Sequence, residues 1–287
     1  MKFRPGVAPL LICLLFALTG CTKFEALNAL IPTWGYQRTT NLAYGPTPRQ
    51  ALDVYQPTDH PQAAPVVIFF YGGYWQYGNR ADYRFVAQAL TSQGFVAVLP
   101  DYRLYPQVTF PAFVKDGARV VRWVHDNAHE FGGDPNRIYL MGHSAGAHIA
   151  ALLTLDHHYL HDVGLAPTTI RATAALSGPY DFDPGPTSRA VFGMKETDAK
   201  PDPTIEPIHF ADNASSPMLL LHGGQDEVVP PANAPRLADR IRAAGGHART
   251  IIYNKLGHVG LPMSLAWPFH WMAPTLQDVT TFFRQHP

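Results

Sequence analysis

The sequence predicts one α/β domain built on a mostly parallel central sheet with helices on both faces. Three observations carry this. From about residue 42 to the C-terminus, short apolar or β-branched runs bounded by Gly, Pro or Asp alternate with segments of helical periodicity. Of the 287 residues, 46% are hydrophobic and 15% charged, which allows a large buried core and excludes a disordered chain. Internal repeats and low-complexity tracts are absent, so a single sheet runs through the pattern.

At the N-terminus, Lys2 and Arg4 precede an apolar stretch over residues 7–18, too short to cross a bilayer as a helix. The junction Leu18-Thr19-Gly20-Cys21 resembles a bacterial lipobox. That resemblance implies a signal peptide over 1–20 and a lipid on Cys21. It places the chain at the bacterial cell envelope, anchored on a periplasmic or extracellular membrane face. Residues 21–41 read as a linker and 42–287 as the domain. Strands are expected at 52–55, 66–71, 95–99, 137–141, 170–176, 218–222 and 248–253. Phe113, Gly117, Val120, Val121 and Val124 mark one helix, and Leu237, Ile241 and Ala244 another that stops at Gly245-Gly246. Residues 179–217, dense in Pro, Asp and Ser, read as an excursion from the sheet.

Whole function classes fall away on composition. Lys and Arg number 22 against 22 Asp and Glu, so the basic footprint of a nucleic-acid partner is missing. No apolar run reaches the ~18 residues of a spanning helix. Cys13 and Cys21 are the only cysteines, which excludes a disulfide framework or a cysteine-ligated zinc in the folded body.

The segment that carries chemistry is Gly142-His143-Ser144-Ala145-Gly146, between the strand at 137–141 and a helical pattern at 147–155. A serine on so sharp a turn needs small residues two before and two after it, and Gly142 and Gly146 supply them. The helix N-terminus behind it favours developing negative charge. A serine hydroxyl also needs a base, and the base an acceptor that holds its tautomer. Asp226, in His222-Gly223-Gly224-Gln225-Asp226-Glu227-Val228-Val229-Pro230, follows the strand at 218–222 and is the candidate acid, with Glu227 its competitor. His258 follows the last strand and is the candidate base. His157, His158 and His161 cluster closely enough to suggest a metal, but only Asp156 and Asp162 accompany them, so no metal is assigned and these read as a solvated helix end.

After the strand at 66–70 the chain reads Tyr71-Gly72-Gly73-Tyr74-Trp75-Gln76, where paired glycines let backbone N–H groups turn toward the space above Ser144. Here the sequence resembles an α/β-hydrolase, in the branch of small carboxylesterases, hormone-sensitive-lipase-like enzymes and arylformamidases (kynurenine formamidases). That branch carries HGGxW or HGGG before a GxSxG elbow. The likeness runs from about residue 42 to the C-terminus and includes Pro100-Asp101-Tyr102-Arg103-Leu104 and the turn Gly133-Asp134-Pro135. It implies the chain order Ser144, Asp226, His258 and an oxyanion hole made by the N–H groups of Gly73, Tyr74 and Ala145. This chain departs from the pattern at Tyr71, where the family has His, which leaves open what braces the loop.

The expected function is hydrolysis of small carboxylic esters through an acyl-enzyme on Ser144, with no metal or organic cofactor required. The alternatives are an arylformamidase acting on an amide and a non-catalytic binding module on the same fold. Trp75 and Tyr77, near the loop, and Trp267, Phe269 and Trp271, beyond His258, are candidate pocket aromatics.

Overall fold

The computed structural model describes residues 24, 27–59, 63–198 and 202–287. The leader reading and the lipid site Cys21 lie outside the described residues. Eight strands form one sheet: β1 (Tyr36–Ala43), β2 (Ala51–Pro57), β3 (Ala64–Phe70), β4 (Val96–Pro100), β5 (Gly133–His143), β6 (Ile170–Leu176), β7 (Met218–Gly223) and β8 (Ala248–Tyr253). Their spatial order is β1-β2-β4-β3-β5-β6-β7-β8. β2 runs antiparallel to both its neighbours, and from β4 to β8 every pairing is parallel.

The strands expected from apolar runs are present; those inside the sheet are buried on both faces, as parallel strands with helical crossovers must be, whereas β8 at the sheet edge is only partly buried. Val66 to Phe70 along β3 are inaccessible to solvent. β1 was not expected. It falls largely in the segment read as a linker, and its sequence, Tyr-Gln-Arg-Thr-Thr-Asn-Leu-Ala, is nearly all exposed at the sheet edge. No buried face imprints a period on it, and it is held by its ladder to β2 and by Arg38 on Asp53 at 2.7 Å.

The helices are α1 (Arg84–Thr91), α2 (Ala112–Asn127), α3 (Ala145–Leu155), α4 (Asn233–Ala243) and α5 (Thr275–Arg284), with one-turn pieces between them. α2 and α4 bury one stripe each. α3 is buried on every side, so it sits inside the layers rather than on them. The excursion at 179–217 contains only short helical turns among its described residues. β5, β7 and β8 all end on the same edge of the sheet, and the loops leaving them deliver the site.

Candidate active site

Ser144 joins β5 to α3 with φ 55° and ψ −120°, a conformation that an L-residue adopts only under constraint. The constraint is close packing. A Cβ on Gly142 would run into the carbonyl of Gly146, and one on Gly146 into the carbonyl of Phe70. The Ser144 N–H donates to the carbonyl of Leu176 at 2.9 Å, which locks the turn to β6. The hydroxyl then faces His258, with Oγ 2.9 Å from Nε2.

His258 Nδ1 lies 2.8 Å from Asp226 Oδ2, so the sequence-predicted acid, base and serine form one chain. The other carboxylate oxygen, Oδ1, accepts from the N–H groups of Val228 and Val229 at 3.0 and 2.9 Å. Glu227 points into solvent. Burial pushes the Asp226 carboxyl up, but hydrogen bonds from His222, His258 and Val229 outweigh it and hold the group far below the usual carboxylate range. Two further imidazoles surround this relay. His143 Nε2 donates to the backbone carbonyl of His258 at 3.1 Å, and burial, followed by the neighbouring His258, pushes its own pKa well down. His222 Nε2 sits 3.3 Å from Asp226 Oδ2. Sequence reasoning missed both contacts. The available signal was that each is a histidine at the end of a strand terminating at the site.

The loop after β3 takes positive φ at three successive residues, Gly73 (134°), Tyr74 (54°) and Trp75 (57°). Its tight turn is closed by the N–H groups of Gln76 and Tyr77 on the Gly73 carbonyl, both at 2.9 Å. A Cβ on Gly72 would stand 3.0 Å from the Cβ of Ser144, so the loop rests directly on the elbow. The N–H groups of Gly73, Tyr74 and Ala145 enter no hydrogen bond among the described residues.

The BD-FAE family model matches residues 52–241. The chain belongs to the BD-FAE family. It is 32% identical over 240 residues to isoprenylcysteine alpha-carbonyl methylesterase ICME of Arabidopsis thaliana, covering 77% of this chain and 56% of that protein. It is 34% identical over 149 residues to kynurenine formamidase of Danio rerio, covering 52% and 48%. The chain thus spans about half the length of these relatives. A solved truncated carbohydrate esterase from gut microbiota superposes with TM-score 0.77 at 24% identity, over 89% of this chain and 98% of that one. That likeness, with the sheet order and the elbow, makes the fold an α/β-hydrolase fold.

In this BD-FAE chain the residue that replaces the expected histidine has its own bonding. The buried Tyr71 hydroxyl donates to Asp101 Oδ1 at 2.9 Å and accepts from Arg49 Nη2 at 2.5 Å. Asp101 also takes the Arg80 N–H at 2.8 Å and pairs with the Arg80 guanidinium, which reaches Asp53 Oδ1 at 2.8 Å. Tyr102 donates to the Tyr71 carbonyl at 2.8 Å. Asp101 and Tyr102 of the Pro100–Leu104 motif therefore brace the loop, and burial keeps the Tyr71 phenol a donor by pushing its pKa well up.

A cavity of about 470 Å³ opens over Ser144, walled by Tyr74, Trp75, Phe182, Ser188, Val228 and Asn233 among others. Phe182 and Ser188 come from the excursion, which supplies one side of the cavity. Trp75 lines it while its ring also packs against His148, Phe182 and Phe192. Tyr77 is 63% exposed and lies outside the walls, because the turn back onto Gly73 carries it to the surface. Trp267 and Trp271 are exposed and Phe269 is buried, and none of the three lines the cavity. Of the histidine cluster, His158 Nδ1 bonds to Asp156 Oδ1 at 2.5 Å and His157 to Ser215 at 3.3 Å.

Proposed function

We propose that the protein is a serine hydrolase that cleaves small carboxylic esters through an acyl-enzyme. One observation carries the reading: a serine in a positive-φ turn, hydrogen-bonded through His258 to an ionised, buried Asp226, and lining an open cavity. Ser144 Oγ attacks the acyl carbonyl as His258 Nε2 takes its proton. Asp226 accepts from Nδ1, holds the reactive tautomer and stabilises the imidazolium. The carbonyl oxygen becomes negative against the N–H groups of Gly73, Tyr74 and Ala145, each worth ~3 kcal/mol in the transition state. His258 then protonates the leaving group, and water repeats the sequence on the acyl-enzyme. The methylesterase relative supports an ester substrate.

The formamidase relative favours a second reading on the same residues, with an aryl formamide in place of the ester. Rates of purified protein on short-chain p-nitrophenyl esters and on N-formylkynurenine separate the two. For either substrate, Ser144→Ala leaves less than about a thousandth of the rate, with circular dichroism unchanged because the hydroxyl fills no core volume. Higher residual activity would assign the chemistry to another nucleophile.

Attachment to a membrane through lipidated Cys21 belongs to the same proposal and rests on the junction at 18–21. Cys21→Ser is expected to lose metabolically labelled acyl chains and leave the protein soluble or unprocessed. A variant that still carries label overturns it.

A further inference from the structure

His222 lies at the end of β7, its side chain wholly inside the protein. Its Nε2 stands 3.3 Å from Asp226 Oδ2 and 3.0 Å from the Val229 carbonyl oxygen. Both neighbours are acceptors, so the proton belongs on Nε2, and the bare nitrogen is Nδ1, buried without a partner among the described residues.

We propose that His222 is a positioning residue of the Ser144–His258–Asp226 relay, whose Nε2–H ties down the Val229 carbonyl beside Asp226 and sets its positive edge against Oδ2, so that the carboxylate is held toward His258 and its charge is partly offset. This rests on the serine-hydrolase reading above. Oδ2 is the oxygen that His258 uses, at 2.8 Å, and Oδ1 is occupied by Val228 and Val229 N–H. The second imidazole therefore acts on the one oxygen that matters for the base. Withdrawing it concentrates negative charge on the contact with His258 and favours the imidazolium, in which the base is spent. The titratable groups facing His258 are Asp226 from the loop after β7, with His222 behind it, and His143 from the end of β5 with its ring centroid 4.7 Å away. Because His143 is kept neutral by burial, the direction of the effect is set by the Asp226 side.

The test is the dependence of kcat/KM on pH with a short-chain p-nitrophenyl ester. His222→Leu and His222→Asn remove the donor, the amide of Asn stopping an atom short of Nε2. Each is expected to move the acid limb up by about half a pH unit or more. Each also lowers kcat about tenfold with KM unmoved, the size of one lost buried hydrogen bond. His222→Gln, whose amide nitrogen reaches the Nε2 position, restores the limb and brings kcat back to within about threefold. If His222→Leu does not fold, the Asn and Gln pair decides. An unmoved limb in Asn, or equal behaviour of Asn and Gln, overturns the assignment. Ser144→Ala separates the two levels: activity surviving there sinks the serine reading itself, whereas a dead Ser144→Ala with unaffected His222 variants sinks only the role of His222.

Discussion

Two loop regions converge on Ser144, and they are held by different means. The acid–base loops, from the ends of β7 and β8, are secured mainly by hydrogen bonds to the main chain, within and between themselves and from His143. Asp226 takes Val228 and Val229 N–H groups two and three residues away, and Gln225 N–H reaches the Leu256 carbonyl at 2.9 Å. The oxyanion loop, from the end of β3, is secured by a buried charge network drawn from distant segments: Arg49, Asp53, Arg80 and Asp101 around the Tyr71 hydroxyl. The difference teaches that a hydrogen-bonded chain of side chains is specified by side-chain identity at the site. A loop that offers only backbone donors needs no particular side chains and borrows its rigidity from elsewhere.

The largest effect is expected on the acid–base side. Asp226→Asn keeps shape but removes the acceptor charge and admits the wrong His258 tautomer, lowering kcat by about three to four orders of magnitude. Steady-state rates of Asp226→Asn and Glu227→Gln on one soluble ester check the choice of acid. A crippled Glu227 variant would reverse it.

On the oxyanion side, Tyr71→Phe leaves every backbone donor in place and strips one hydroxyl from the brace. The expected loss is about tenfold in kcat and ~1–3 kcal/mol in stability, measured by rate assay and thermal melting. A loss as large as that of Asp226→Asn would mean that the brace and the relay are equally demanding, and the contrast between the loops would fail.

A smaller effect concerns acid stability. His148, one turn into α3, packs under Trp75 of the oxyanion loop and is wholly buried, which pushes its pKa down to about 4. Unfolded, it titrates near its ordinary value of about 6.5. Between those values the unfolded chain holds a proton that the folded one refuses, so stability falls as pH drops from about 6.5 to about 4, by up to ~3 kcal/mol for this group. His148→Gln should flatten the decline of melting temperature across that window. An unchanged slope would assign the acid sensitivity elsewhere, with buried His143 beneath the acid–base loops the next group to test.

Glu227→Gln is expected to show the least, under ~1 kcal/mol of transition-state energy or about fivefold in rate, since the side chain faces solvent.

By itself the sequence determined the parallel sheet and the residues that meet at the cavity. Seven apolar runs bounded by turn residues formed strands, six of them buried and β8 partly exposed at the sheet edge. A strained Gly-x-Ser-x-Gly turn, an acid after β7 and a histidine after β8 would, in the proposed chemistry, admit few residue types, so each shows in one dimension. Tertiary structure alone decided the rest. β1 is a strand because its backbone pairs with β2, and pairing by main-chain hydrogen bonds writes no pattern into exposed side chains. Tyr77 reads as a pocket residue from its neighbours, yet a turn closed on Gly73 puts it on the surface, while Phe182 from the excursion takes the wall. The partners of Tyr71 and the alignment of His222 with Asp226 depend on distances between segments. Those distances are set by how the chain packs, which no local run of residues encodes.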